Sequence, residues 1–184
     1  METLQLRYFY ETAKNESVTK TAQKFMDQAA SYDELAKATS KTLADYLKAA
    51  KAAIKNVGDL KALAKNPDIY ATKKLEHIFF GNNGGGLHYN GLAGANGKIV
   101  EITKPVNKYG VYGAIVEVDG VKKYSSFFPD NWTPQQVLDT IDAAYYNGVK
   151  NNRNQIIYKM DSGMKITINL DEYDKVISAY PVYE

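Results

Sequence analysis

A chain of 184 residues, 45% apolar, 24% charged and 12% aromatic, has room for one well-cored domain with an appendage, and is neither disordered nor membrane-like in composition. It has no cysteine, which excludes disulfides, thiolate metal sites and cysteine nucleophiles together and leaves the redox compartment unreadable. The net charge of +2 hides a split: residues 1–75 hold 13 Lys and Arg against 9 Asp and Glu, and residues 76–184 hold 10 against 12, so polyanion binding in the back half must come from a local arrangement rather than bulk charge. No stretch reaches the roughly 18 apolar residues of a membrane helix. The N-terminus lacks the basic, then apolar, then small-residue order of an export signal, so the expectation is a chain with no membrane association and no address of its own.

Leu6, Phe9, Tyr10 and Ala13 share a face at helical spacing and predict a short helix over residues 3–14. Ser17 or Thr19 can cap a second helix carrying Ala22, Phe25 and Met26. Residues 32–64 are rich in Ala, Lys and Leu, with Leu35, Leu43, Leu47, Ala50, Ile54, Leu60 and Leu63 near a 3.6-residue period. They predict a helical stretch broken around residues 56–59. Asn66, Pro67 and Asp68 form a turn, and a short helix from Tyr70 delivers Leu75, Ile78 and Phe79.

After Gly81 the texture changes: glycines cluster, then β-branched and aromatic residues alternate with polar ones. Strands are expected over residues 98–104, 109–118 and 121–127, the last two joined by the hairpin dipeptide Asp119-Gly120. Thr133 caps, and Pro134 opens, a helix over residues 134–144, with Val137, Leu138, Ile141 and Ala144 on one face. Closing strands are expected over residues 155–159, 164–170 and 175–180. Helices followed by strands with one inserted helix make an α+β fold, divided into segments 1–30, 31–70 and 71–184.

The chain has two histidines, His77 and His88, eleven residues apart with Gly81, Gly84, Gly85 and Gly86 between them. An imidazole titrates near neutrality, and two of them can take one proton and give another. Glycines beside the second let backbone N–H groups close on an anion. By themselves these residues leave other readings open. His77 could be an ordinary helix-end residue and His88 an ordinary strand residue. A metal site lacks a third ligand at suitable spacing, since Glu76 should point away from His77 on a helix. Lys122 and Lys123 could be a solvated hairpin pair, and Tyr180 one core tyrosine among fifteen.

Five segments stand in a particular order: Leu75-Glu76-His77-Ile78-Phe79, Gly84-Gly85-Gly86-Leu87-His88, Lys122-Lys123-Tyr124-Ser125-Ser126-Phe127-Phe128-Pro129, Trp132-Thr133 before a helix, and Ile177-Ser178-Ala179-Tyr180-Pro181. In this respect residues 72–183 resemble the bacterial EndoU family of endoribonucleases. The resemblance implies a metal-independent enzyme with no cofactor that cleaves RNA by attack of the 2′-hydroxyl and leaves a 2′,3′-cyclic phosphate. It implies His77, His88 and Lys123 as catalytic residues, with Lys122 the alternate for the lysine. His88 looks like the base and His77 like the acid, with exchange of the two open. It also implies Gly86, Ser178 and Tyr180 as substrate-binding residues; Ser178 and Tyr180, two apart on a strand, share a face. Phe127, Phe128 and Trp132 are assigned to packing. Tyr124 departs from the family's pattern by standing between the lysines and Ser125.

Residues 3–26 resemble the opening helices of a LysR-type transcriptional regulator, but residues 27–35 do not continue into a recognition helix, so DNA binding is not expected. The expected partners are an RNA substrate, tRNA being one candidate, and a cognate immunity protein. The expected role is that of a bacterial toxin acting in the cytoplasm of a target cell. The other reading is a non-enzymatic truncated regulator or partner-binding helical module.

Overall fold

In the computed structural model, residues 32–184 are described, with side chains from residue 39 onward. The two helices expected within residues 3–26, and the regulator resemblance they carry, lie outside the described residues. Helix α1 (Tyr32–Ala52) covers the Ala/Lys/Leu-rich stretch. Leu43 and Tyr46 on it are exposed. Helix propensity is enough to form this segment without apolar burial at those two positions.

A compact unit spans Leu47–Glu184. The predicted break is real: Asn56 caps α2 (Val57–Leu63), taking the Gly58 and Asp59 N–H groups on its side chain while Asp59 reaches back to the Asn56 N–H. A 3₁₀ turn (Pro67–Ile69) follows. The short helix expected from Tyr70 starts later, as α3 (Lys74–Phe79), because Tyr70 and Ala71 are held in extended form against Val176.

The strand half divides into two antiparallel sheets. The first pairs β1 (Gly97–Lys104), β2 (Tyr112–Val118) and β3 (Val121–Phe127) in that order. Val118 pairs with Val121 across a two-residue turn in which Asp119 (φ 50°) and Gly120 (φ 78°) both take positive φ, as the sequence required. Strand β2 begins at Tyr112 rather than 109, since Asn107 turns the chain by accepting from the Tyr109 and Val111 N–H groups. Helix α4 (Pro134–Asn147) is capped by Thr133 as expected, in a capping box with Gln136, and runs one turn past its predicted end.

The second sheet orders β4 (Val149–Lys150), β5 (Gln155–Lys159), β6 (Lys165–Leu170) and β7 (Val176–Pro181). Alternation sends Ile156, Ile166, Ile168 and Ala179 to the core beneath α4, where Val137, Leu138, Ile141 and Ala144 are buried. A bulge in β7 breaks the register between Ser178 and Val176. Val176 thereby faces the core with Leu170, while Ser178 and Tyr180 lie on the opposite face. The chain is therefore α+β, with antiparallel sheets throughout. Among the described residues no helix is long and apolar enough to cross a membrane.

Two apolar clusters serve these sheets. The larger joins α2, α3, α4 and the second sheet, and includes Ile54, Leu60 and Ile69. The smaller lies on the first sheet: Tyr112, Ala114, Val116, Val118 and Phe127, with Leu87 laid across them. The glycine loop thus bridges the clusters, anchored by His77 and Ile78 on one side and Leu87 on the other.

Candidate active site

His77 ends α3 and His88 follows the glycine loop. The Leu87 N–H donates to the His77 carbonyl (2.9 Å) and the His88 N–H to that of Ile78 (2.8 Å), so the two segments lie side by side. Gly86 (φ +77°) makes this possible, because a Cβ there would collide with the His77 carbonyl and crowd its ring. Leu87 also takes positive φ (61°), unusual for a bulky residue and held by its burial in the first sheet's cluster. The result is an edge-to-face pair of imidazoles with centroids 6.3 Å apart.

Both rings are held by Nδ1. Asn82 donates its amide to the Lys73 carbonyl (3.1 Å) and to Glu76 (3.3 Å), which leaves its oxygen to accept from His77 Nδ1 at 3.2 Å. His88 Nδ1 donates to the Ser126 carbonyl (3.0 Å), with Ser125 Oγ beside it at 2.8 Å. Ser125 gives its own proton to the Leu87 carbonyl (2.9 Å), so it meets the imidazole as an acceptor. With Nδ1 carrying the hydrogen on each ring, Nε2 is left as the basic nitrogen. That of His88 faces Ser178 Oγ across 3.4 Å, too long a bond to tie up its lone pair.

Burial draws the His88 imidazole down from its usual 6.5 to about 4; the Ser126 carbonyl opposes this, and the charges on His77 and Lys123 add to it. His77 is also lowered, first by burial, against the Asn82 bond and with Lys74 and Lys123. Lys123 therefore stands near both rings. A Cβ on Gly85 would collide with the Lys123 amine and sit 3.2 Å from His77 Cε1, so amine and imidazole meet over a bare glycine backbone. Lys122 pairs across the sheet with Glu117, on the other face. Tyr124 turns to that face too and lies over Gly113, so its insertion before Ser125 does not enter the site. Tyr180 lies against His88, centroids 5.3 Å apart and rings tilted by 32°.

His77, His88, Lys123, Gly86, Ser178 and Tyr180 are thus brought to one place from α3, the glycine loop, β3 and β7. Phe127 and Phe128 are fully buried and Trp132 partly so. Among the described residues no group of three or more His, Cys, Asp and Glu is placed to hold a metal ion. Glu76 does not bond His77; it reaches the ring only through Asn82.

Residues 71–183 match the family described as Bacterial EndoU nuclease. The chain belongs to that family. A protein named Toxin from Bacillus cereus is 35% identical over 118 residues, which cover 58% of this chain and 22% of that protein. The chain thus spans about a fifth of the length of the curated relative it matches. No solved structure gives a significant match.

Sequence reasoning about this EndoU chain missed the residues that hold the histidines. Asn82 and the Ser125-Ser126 pair were visible as letters, but neither periodicity nor spacing marks an amide or hydroxyl as a partner to a ring reached through a loop. The one available signal was their adjacency: Asn82 lies five residues after His77, and Ser125 and Ser126 directly follow the lysine segment.

Proposed function

We propose that this chain is a metal-independent endoribonuclease that cleaves RNA by transesterification. The reading rests above all on the two facing imidazoles, each fixed through Nδ1, with Lys123 beside them. In the reaction the substrate's 2′-oxygen attacks phosphorus and passes its proton to His88 Nε2. The bond from phosphorus to the 5′-oxygen breaks as His77 donates a proton to that oxygen, leaving a 2′,3′-cyclic phosphate and a 5′-hydroxyl. The shifts support this division of labour: with His88 drawn to about 4 and His77 lowered less severely, neutral His88 with protonated His77 is favoured over the reverse. Lys123 and the free N–H of Gly86, which has no acceptor among the described residues, would meet the charge developing at phosphorus. Tyr180 and Ser178 would hold the ribose or base beside the attacked phosphate.

The name of the Bacillus cereus relative and the share of it that is matched support a toxin role, with this chain as a nuclease segment of a longer effector acting in a target cell's cytoplasm. A cognate immunity protein covering the site is the partner that follows. Purified protein incubated with RNA in EDTA, beside a His88→Ala variant, tests the enzymatic reading. The expected outcome is cleavage whose 3′ ends resist phosphatase until acid opens the cyclic phosphate, and a loss of about 10²- to 10⁴-fold in the variant. Equal rates for both proteins would sink it.

A further inference from the structure

The back half is net acidic by sequence, yet the face of the second sheet that carries Ser178 and Tyr180 is not. Register fixes what lies on it: Tyr180 of β7 stands beside Thr167 of β6, Thr167 beside Ile157 of β5, and Ile157 beside Val149 of β4. The next row along holds Lys159 opposite Lys165. None of the residues on this face of the four strands is acidic. Lys165 pairs with Glu184 (2.6 Å), whereas Lys159 has no carboxylate partner among the described residues. Ile157 and Val149 are 36% and 75% exposed, apolar surface that the fold leaves in water at the end of a row beginning at Tyr180.

We propose that this row is a second subsite for single-stranded RNA, taking the nucleotides that follow the one held at Tyr180. The inference rests on the nuclease reading of the site. Strands lie about 4.8 Å apart, so Ile157 is about 10 Å and Val149 about 14 Å from the Tyr180 position, within reach of the next one or two nucleotides of an unstacked strand. Bases would lie against the Ile157 and Val149 side chains and cover their exposed apolar surface, and Lys159 would meet a backbone phosphate. Thr167, buried between Tyr180 and Ile157, adds little surface of its own to this row. The adjoining row is braced by Gln155 donating to Asn169 at 3.0 Å, which keeps the strands in register beneath the ligand. The charge argues for RNA over a protein partner: the four strands put two lysines and no acidic residue on this face, Glu184 from beyond β7 pairs with only Lys165, and Lys159 is left to meet a polyanion.

The test is fluorescence anisotropy of the whole protein with 2′-O-methyl oligonucleotides, which cannot undergo transesterification, as dimer, tetramer and octamer at low salt. Affinity should rise by about tenfold from dimer to octamer, the order expected from covering two part-exposed aliphatic side chains and adding one lysine–phosphate contact. Ile157→Asp and Lys159→Glu, both surface changes whose folding is checked by thermal melting, should each remove most of that gain, and Lys159→Arg should keep it. Equal affinity for all lengths, or a gain that survives Ile157→Asp and Lys159→Glu, overturns the subsite; so does an undiminished octamer affinity in a Val149→Asp, Ile157→Asp double variant. Cleavage of ordinary RNA, assayed in the same preparations, reports separately on the nuclease reading.

Discussion

At the scale of single residues, His77 depends on a neighbour that does no chemistry itself. Asn82 is oriented by the Lys73 carbonyl and Glu76, and its oxygen holds the ring through Nδ1. Asn82→Ala should lower kcat by about tenfold through loss of ring orientation, with little effect on KM. Asn82→Asp would place a negative charge on the same nitrogen, raise the His77 pKa and move the alkaline limb of the rate profile upward. A profile that does not move would remove Asn82 from this role. Gly85→Ala is a second case: its φ is not positive, so the backbone tolerates alanine, but the added methyl displaces the Lys123 amine. Cleavage should fall by at least about tenfold while the melting temperature barely changes; a loss confined to stability would mean that Lys123 has no place in the reaction.

At the scale of elements, the capping boxes and the bulge carry different burdens. Thr133→Ala removes the acceptor for the Gln136 N–H at 3.2 Å and should cost about 1 kcal/mol, read by denaturant unfolding with RNA cleavage retained in the folded fraction. The bulge in β7 lets Val176 stay in the core although Ser178, two residues on, and Tyr180 face away from it by alternation with Ala179. The helices, the hairpin at Asp119-Gly120 and the alternation of β6 were legible in the sequence because each is a local or short-period signal. The start of α3 at Lys74, the two-residue β4 and the bulge were not. Each depends on what a distant segment offers: Val176 for Tyr70, β5 for Val149, and β6 for the β7 register.

At the scale of the whole molecule, a neutral histidine buried at the centre of the site ties folding to pH. His88 has a folded pKa of about 4 against 6.5 in its ordinary state. Above 6.5 both folded and unfolded chains hold it neutral and it contributes no pH dependence. Below 6.5 the unfolded chain takes up the proton and the folded chain does not, so stability falls as pH drops from about 6.5 toward 4. A His88→Ala variant should lose this part of the slope in urea titrations across that range, and an unchanged slope would contradict it. With His88 as the proposed base and His77 as the proposed acid, both lowered from the usual imidazole value, kcat/KM should be greatest on the acid side of neutrality and already be declining at neutral pH, and a maximum on the alkaline side would contradict the assignment.

Read alone, the sequence determined the α+β class, the family, the two histidines and the lysine segment, because composition, periodicity and ordered motifs are properties of the chain itself. It was silent on the environment of each histidine and on what holds the rings. Those matters were decided by tertiary structure: burial that separates two imidazole pKa values, a glycine backbone over which lysine and histidine meet, and hydroxyl, amide and carbonyl groups brought to each ring from remote strands and loops. A pKa or a hydrogen-bond partner belongs to an environment, and the environment of His88 is assembled from residues up to ninety positions away.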